Sequence, residues 1–174
     1  MSGAGASARR EVDAQVGLVV FLGATAMLFA SVLLAYAIVR AEAPQWPPAG
    51  AAPFPRGAAA LNTLALFAAS LALHHARRGP AAARAWMRAA FGFGAAFLVA
   101  QGILWRHLVA VQLGPRGGAL SEVFFALSAL HALHVLGGLI ALAAAGARRL
   151  RLVTIYWDFV LVVWAVIYVA VCLL

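Results

Sequence analysis

The chain has 174 residues, of which 66% are hydrophobic and 10% are charged, whereas soluble domains average roughly 45–50% and 25%. A soluble domain of this length has too little interior to bury so much apolar surface, so a soluble globular fold is excluded. The net charge of +8 does not indicate nucleic-acid binding, because its source is arginines clustered at the ends of long apolar runs. The single cysteine, Cys172, excludes an intrachain disulfide.

Five apolar runs approach the roughly 20 residues of helix that are needed to cross a ~30 Å hydrocarbon core. They follow a polar amino-terminal tail, Met1–Gln15, and the first run is too long for a signal-peptide core. The sequence therefore predicts an all-α fold, with residues 16–174 forming one membrane domain of five transmembrane helices. The predicted spans are, in chain order, Val16–Val39, Ala58–Ala76, Ala89–Val111, Ser121–Ala145 and Val153–Leu174.

The connections between these spans predict the orientation of the chain. The first connection, Arg40–Gly57, contains five prolines, so we expect an ordered excursion without helix. Nine of the thirteen arginines lie in the tail and in the second and fourth connections, and four lie on the opposite side. Because basic residues favour the cytoplasmic side, this predicts a cytoplasmic amino terminus and a periplasmic carboxyl terminus.

Two histidines in the fourth span, His131 and His134, are three residues apart and therefore share one helix face. They could ligate a haem or a metal ion, or they could form interhelical hydrogen bonds, and we favour hydrogen bonds. A bis-histidine haem needs ligands from two helices at one depth. His74 and His75 lie about 12–15 Å from His134 along the membrane normal, at 1.5 Å per residue. We therefore expect no cofactor and no metal in this chain.

Other polar side chains in the spans are candidates for helix–helix contact, because an unpaired polar group in hydrocarbon is costly. Gln101, near the middle of the third span, needs a partner such as Asn62 or a histidine. Arg106 can extend to the outer surface or pair with Glu122 at the start of the fourth helix. His107 lies near the same surface, at a depth closer to that of the fourth-span histidines.

The inner ends of the second and fifth spans hold further candidates. His74 and His75 adjoin two arginines and are expected to meet lipid headgroups or a partner. Asp158 follows Tyr156 and Trp157, which are typical of the interfacial aromatic belt, so we favour a structural role for its carboxylate. The complete set of candidate packing, partner or lipid contacts is Thr25, Asn62, His74, His75, Gln101, Trp105, Arg106, Glu122, His131, His134, Trp157 and Asp158.

Short motifs along the chain, such as LHALHVLGG from Leu130 and YWDFVLVVW from Tyr156, resemble those of the cytochrome c oxidase subunit III family. The fourth span reads LHALHVLGG from Leu130, where the family has FHGLHV. The fifth span reads YWDFVLVVW from Tyr156, where the family has YWHFVDVVW. The resemblance covers nearly the whole chain from Gly17. Four further landmarks occur in the family's order: WPP at Trp46, LNT at Leu61, HH at His74 and the glutamine at Gln101.

This resemblance implies an accessory subunit of a respiratory haem–copper terminal oxidase in the bacterial inner membrane. Subunit III of the family holds no redox centre. It packs beside catalytic subunit I, binds phospholipid and supports proton uptake and durability during turnover. Haem and copper are accordingly expected in the partner catalytic subunits. Many members have seven helices, the first two splayed around a lipid-filled cleft. This chain is similar to the five-helix form, so that cleft is not expected.

The chain departs from the family pattern at its membrane carboxylates. Thr25 and Leu104 stand where the family has glutamates, and Leu161 stands where it has an aspartate. Asp158 replaces the family's histidine. Roles that depend on the missing carboxylates are therefore not transferred to this chain.

Two alternatives remain open from the sequence, one closely related and one from a different class. The first is the homologous subunit of a nitric oxide reductase or of another respiratory supercomplex, which the lost carboxylates fit. The second is a small haem-b or quinone-binding membrane module that uses His131, His134 and His107. A transporter has little support, because the spans lack paired charges and Gly/Pro interruptions.

Overall fold

The structure is a computed structural model that describes residues 2–45, 56–79, 81–111, 114, 119–145 and 149–173. Within these ranges the regular secondary structure is helical, and each of five helices is long and apolar enough to cross a membrane. The predicted all-α fold with five spans is confirmed, and the chain is a multi-pass membrane protein. The helices are α1 Ser2–Glu42, α2 Arg56–Arg78, α3 Ala83–Ala110, α4 Ala119–Ala144 and α5 Leu150–Ile167, which continues into a π-helical segment, Tyr168–Leu173.

The helix ends follow from local sequence. α1 ends at Glu42, two residues before Pro44, because proline disfavours helical backbone in the residue before it. α2 ends at Arg78, immediately before a Gly-Pro pair that stops a helix. α1 also includes most of the predicted tail, because no glycine–proline break separates the tail from the first span. The predicted non-helical excursion is shortened at both ends by helix, and residues 46–55 of it lie outside the described residues.

The helices pack as a bundle in which α2 lies along α3, and α5 lies against both α2 and α4. α1 packs against α4 and α5. Among the described side chains of α1, only Thr25, Phe29 and Tyr36 are buried. Most of the surface of α1 therefore faces the surroundings of the chain, as expected for a helix at the edge of a membrane bundle.

The interior consists of two apolar clusters with polar side chains between them. The first cluster includes Leu73, Ala90 and Trp157 and lies toward the end where α2 finishes and α3 begins. The second includes Phe29 and Phe124 and lies toward the opposite end. We call the polar residues between the clusters the polar layer, which comprises the buried residues Asn62, Gln101, Ser128 and His131 and the half-buried Thr63.

Candidate functional site in the polar layer

The polar layer joins α2 to α3 through a buried amide pair. The Asn62 Nδ2–H group donates a hydrogen bond to Gln101 Oε1 at 2.8 Å. Both side chains are buried, and Gln101 has no exposed surface. The sequence suggested Asn62 or a histidine as the partner of Gln101, and in the structure the partner is Asn62. This hydrogen bond satisfies a donor and an acceptor that would otherwise have no partner in hydrocarbon.

Two tryptophans extend the layer to the other helices. The Trp164 Nε1–H on α5 donates to the Thr63 hydroxyl on α2 at 3.1 Å. The Trp105 Nε1–H on α3 donates to the Ser128 hydroxyl on α4 at 3.0 Å. The polar N–H of each indole is therefore satisfied on a neighbouring helix, while the ring of Trp164 is buried and that of Trp105 is half-buried. Four of the five helices are joined by hydrogen bonds at this level.

The two histidines of α4 have different surroundings although they are three residues apart. His131 is fully buried, and its ring centroid lies 5.6 Å from that of Phe97 and 5.1 Å from that of Trp164. Neither ring nitrogen of His131 has a hydrogen-bond partner among the described residues. The His134 Nδ1–H instead donates to the Leu130 carbonyl at 2.8 Å, and its ring lies 5.4 Å from that of Phe29 on α1.

We expect Asn62 and Gln101 to stabilise the bundle through their mutual hydrogen bond and not as independent residues. Gln101→Leu should lower the free energy of unfolding by about 1–3 kcal/mol, because it leaves the Asn62 amide buried without its partner. The double variant Asn62→Leu/Gln101→Leu should lie within about 1 kcal/mol of the wild type, because both polar groups are removed together. Equilibrium unfolding of the purified chain in detergent measures both values. A double variant as unstable as the sum of the single variants would contradict the pairing.

A second polar site lies outside the layer, between α2 and α5. The Ser70 hydroxyl donates to Asp158 Oδ1, and His74 Nε2 lies 3.1 Å from each carboxylate oxygen of Asp158. The His74 and Asp158 side chains are 41% and 40% exposed. The sequence assigned His74 to headgroups or a partner, whereas the structure gives it a partner within the chain. The spacing of Ser70 and His74, one helical turn apart on α2, is the feature of the sequence that could have indicated a shared partner.

This site contains the residue types of a serine hydrolase triad but not their order. In a triad the imidazole lies between the hydroxyl and the carboxylate, so that it can take the hydroxyl proton. Here the carboxylate of Asp158 lies between Ser70 and His74 and accepts from both. The arrangement supports an interhelical contact and not nucleophilic catalysis. Among the described residues, no three His, Cys, Asp or Glu side chains converge as a metal-binding group.

The remaining candidates occupy the ends and the flank of the bundle. His75 donates from Nδ1 to the Leu71 carbonyl at 2.9 Å, and its ring lies 4.9 Å from that of Trp86. Arg106 and Glu122, which are both described, are exposed and form no ion pair with each other.

Two further candidates lie in the interior. Thr25 is buried on the inward face of α1. Trp157 is 1% exposed, and its indole nitrogen has no hydrogen-bond partner among the described residues. Next to it, the Tyr156 hydroxyl donates to the His134 carbonyl at 2.7 Å and so joins α5 to α4, a contact that sequence reasoning did not predict.

Comparison with known proteins gives a consistent set of relatives, although no family model matches the sequence. The chain is 28% identical to cytochrome c oxidase subunit 3 of Synechocystis sp., over 91% of this chain and 74% of that protein. It is 28% identical to cytochrome bo(3) ubiquinol oxidase subunit 3 of Pseudomonas putida, over 91% and 84%. It is 30% identical to the probable cytochrome c oxidase subunit 3 of Mycobacterium leprae, over 88% and 84%. The chain therefore belongs to the cytochrome c oxidase subunit 3 family.

Proposed function

We propose that this chain is an accessory subunit of a respiratory haem–copper terminal oxidase and carries no redox centre of its own. It packs beside the catalytic subunit in the bacterial inner membrane, and the complex reduces dioxygen. The proposal depends mainly on the relatives. Each of the three is named as subunit 3 of an oxidase, and each aligns with nearly the whole of this chain. The order of the short motifs in the spans agrees with it.

The surroundings of the buried histidine support the absence of a haem in this chain. The His131 ring is enclosed by Phe29, Phe97 and Trp164, with no exposed surface. An axial haem ligand must present a ring nitrogen to a flat macrocycle, and these three aromatic rings occupy that space. The polar layer then serves to fix the helices relative to one another, which an accessory subunit needs in order to present a constant surface to its partner.

The distribution of arginines supports the proposed orientation, with a cytoplasmic amino terminus. α2 ends, α3 begins, α4 ends and α5 begins at one end of the bundle, which is the end that bears most of the arginines. Basic residues are enriched on the cytoplasmic side of membrane proteins. By this rule the carboxyl terminus lies in the periplasm.

Phospholipid binding is also part of the proposal. A groove of about 480 Å³ lies between α1, α4 and α5. Leu18, Phe21 and Gly137 contribute apolar or small surface to it, and Arg149 lies at its rim. A groove of this size that combines apolar walls with one cation suits an acyl chain and a phosphate.

Purification of the affinity-tagged chain from its native membrane tests the function. We expect a haem-bearing catalytic subunit to co-purify, and the separated chain to show no Soret absorption. Isolation of the assembled native complex without any haem–copper subunit would contradict the accessory role. A Soret band in the separated chain that is lost in His131→Ala would contradict the absence of a redox centre.

The homologous subunit of a nitric oxide reductase is the second candidate. It is favoured by one observation: Thr25, Leu104 and Leu161 replace the carboxylates of the family pattern, so this subunit offers no such group for proton supply. The gas consumed by the purified complex separates the two candidates. Consumption of dioxygen with a reduced electron donor supports the oxidase, and consumption of nitric oxide alone supports the reductase.

A further inference from the structure

The first turns of α3 carry two arginines beside an apolar groove. Arg84 and Arg88 lie one helical turn apart, and both are exposed. They line a groove of about 470 Å³ between the start of α3 and the end of α4. Met87 and Phe91 of α3 and Leu142 of α4 form apolar walls of the same groove. Cationic and apolar surface therefore meet in one concave site.

The charges of these arginines are not balanced within the described part of the chain. The whole sequence contains five acidic residues against thirteen arginines. One of the five, Asp158, is paired with His74, and neither Arg84 nor Arg88 forms an ion pair with a described side chain. Two guanidinium groups one turn apart, with no acid beside them, favour a ligand with negative charge.

The position of the groove along the membrane normal indicates what that ligand is. α3 has 28 residues, which corresponds to about 42 Å at 1.5 Å per residue, whereas the hydrocarbon core is only about 30 Å thick. When the apolar part of α3 is centred in the core, the turn that bears Arg84 and Arg88 lies at headgroup depth. Phe91 then lies at the start of the hydrocarbon. The exposed Trp86, beside His75, fits the same interfacial level.

We propose that this groove is a binding site for an anionic phospholipid, selective for a headgroup whose phosphate charge is not cancelled by an ammonium group. The two arginines bind the phosphate, and Met87, Phe91 and Leu142 contact the first carbons of the acyl chains. The site differs from the groove at Arg149, which is formed by α1, α4 and α5 and has one arginine in its lining, although Ala145 lines both grooves. The inference rests on the proposed lipid binding, to which it adds a second site with a defined headgroup chemistry.

Native mass spectrometry of the full-length chain, titrated with phosphatidylglycerol or with phosphatidylcholine, tests the proposal. The wild type should bind one phosphatidylglycerol molecule about 30-fold more tightly than phosphatidylcholine, as expected for two arginines near an anionic headgroup. Arg84→Gln/Arg88→Gln should remove this preference. The matched control is Arg77→Gln/Arg78→Gln, which removes the same charge from the same end of the bundle but outside the groove, and it should keep the preference within about twofold.

Two further measurements test the groove itself. Ala143→Trp fills it while both arginines remain, and should weaken phosphatidylglycerol binding to the level of the double-arginine variant. Water-soluble glycerol phosphate should not displace the bound lipid, because it lacks the acyl contacts. Three outcomes would each overturn the proposal. They are an equal loss of the phosphatidylglycerol preference in the Arg77→Gln/Arg78→Gln control, unchanged phosphatidylglycerol binding in Ala143→Trp, and displacement of the bound lipid by glycerol phosphate.

The result can be separated from that of the proposed function. Co-purification of a haem–copper subunit is scored for each variant in the same preparations. A chain that binds phosphatidylglycerol selectively but has no oxidase partner overturns the function and leaves the lipid site standing. A chain that assembles with the oxidase but shows no headgroup preference overturns the lipid site alone.

Discussion

Gly94→Ala is expected to lower the free energy of unfolding by about 1–3 kcal/mol, the usual effect of forcing extra volume into a packed interior. A Cβ atom at Gly94 would lie 2.5 Å from Trp157 Cη2, 2.9 Å from Leu139 Cδ2 and 3.2 Å from Trp157 Cζ3. The clash involves the bulky ring of a fully packed tryptophan, and α4 closes off the other side. Relief therefore requires α3 and α5 to move apart, which weakens the packing on which helix association in a membrane depends.

Gly92→Ala is the matched control, because it makes the same chemical change two residues earlier on α3. A Cβ atom at Gly92 would meet nothing within 4 Å. Helix propensity changes equally at both positions, so the difference between the two variants isolates the packing effect. Equilibrium unfolding of the purified chain in detergent, followed by circular dichroism, measures both. Equal stability of the two variants would contradict the packing described here.

Trp157→Phe gives an independent check on the same contact. The clashing atoms, Cη2 and Cζ3, belong to the six-membered part of the indole ring, and a phenylalanine does not extend as far. Trp157→Phe alone should destabilise the chain, because it leaves a cavity in the first apolar cluster. Combined with Gly94→Ala it should cost less than the sum of the two single changes, because the new methyl group occupies part of that cavity.

Much of the fold could be predicted from local sequence alone. Apolar runs of sufficient length specify membrane helices because the hydrocarbon leaves backbone groups no other partners. The ends of α1 and α2 follow from Pro44 and from the Gly79–Pro80 pair, which act on their immediate neighbours. The extension of α1 into the tail was not predicted, because span length was estimated from hydropathy, which marks the limits of the hydrocarbon and not those of the helix.

Contacts between helices were harder to predict, because they depend on how each helix is rotated about its axis. Gln101 is in the middle of a span, so it needed a partner at its own depth, and Asn62 was one of few polar residues there. His74 and Asp158 are 84 residues apart on helices that are not consecutive. Nothing in the local pattern specifies that α2 and α5 turn these two side chains toward each other. The same limitation applies to the aromatic rings around His131.

We expect the contact between His74 and Asp158 to contribute a measurable coupling energy to the stability of the bundle. Asp158→Leu should lower the free energy of unfolding by about 1–3 kcal/mol, because it removes the acceptor of both Ser70 and His74. His74→Leu should be destabilising for the same reason, since it removes one of the two donors to the carboxylate. Their double-mutant cycle should give a coupling of about 0.6–1.7 kcal/mol, which lies between the average and the maximum measured for hydrogen bonds between membrane helices.

The neighbouring histidine provides the control for this cycle. His75 bonds to the Leu71 carbonyl of its own helix and not to Asp158. A cycle between His75→Leu and Asp158→Leu should therefore be additive within about 0.5 kcal/mol. Unfolding in mixed micelles with increasing denaturing detergent yields all the required free energies. If both histidines couple equally to Asp158, the cycle reports a general effect of charge at this end of the bundle. The specific joining of α2 to α5 through His74 would then be refuted.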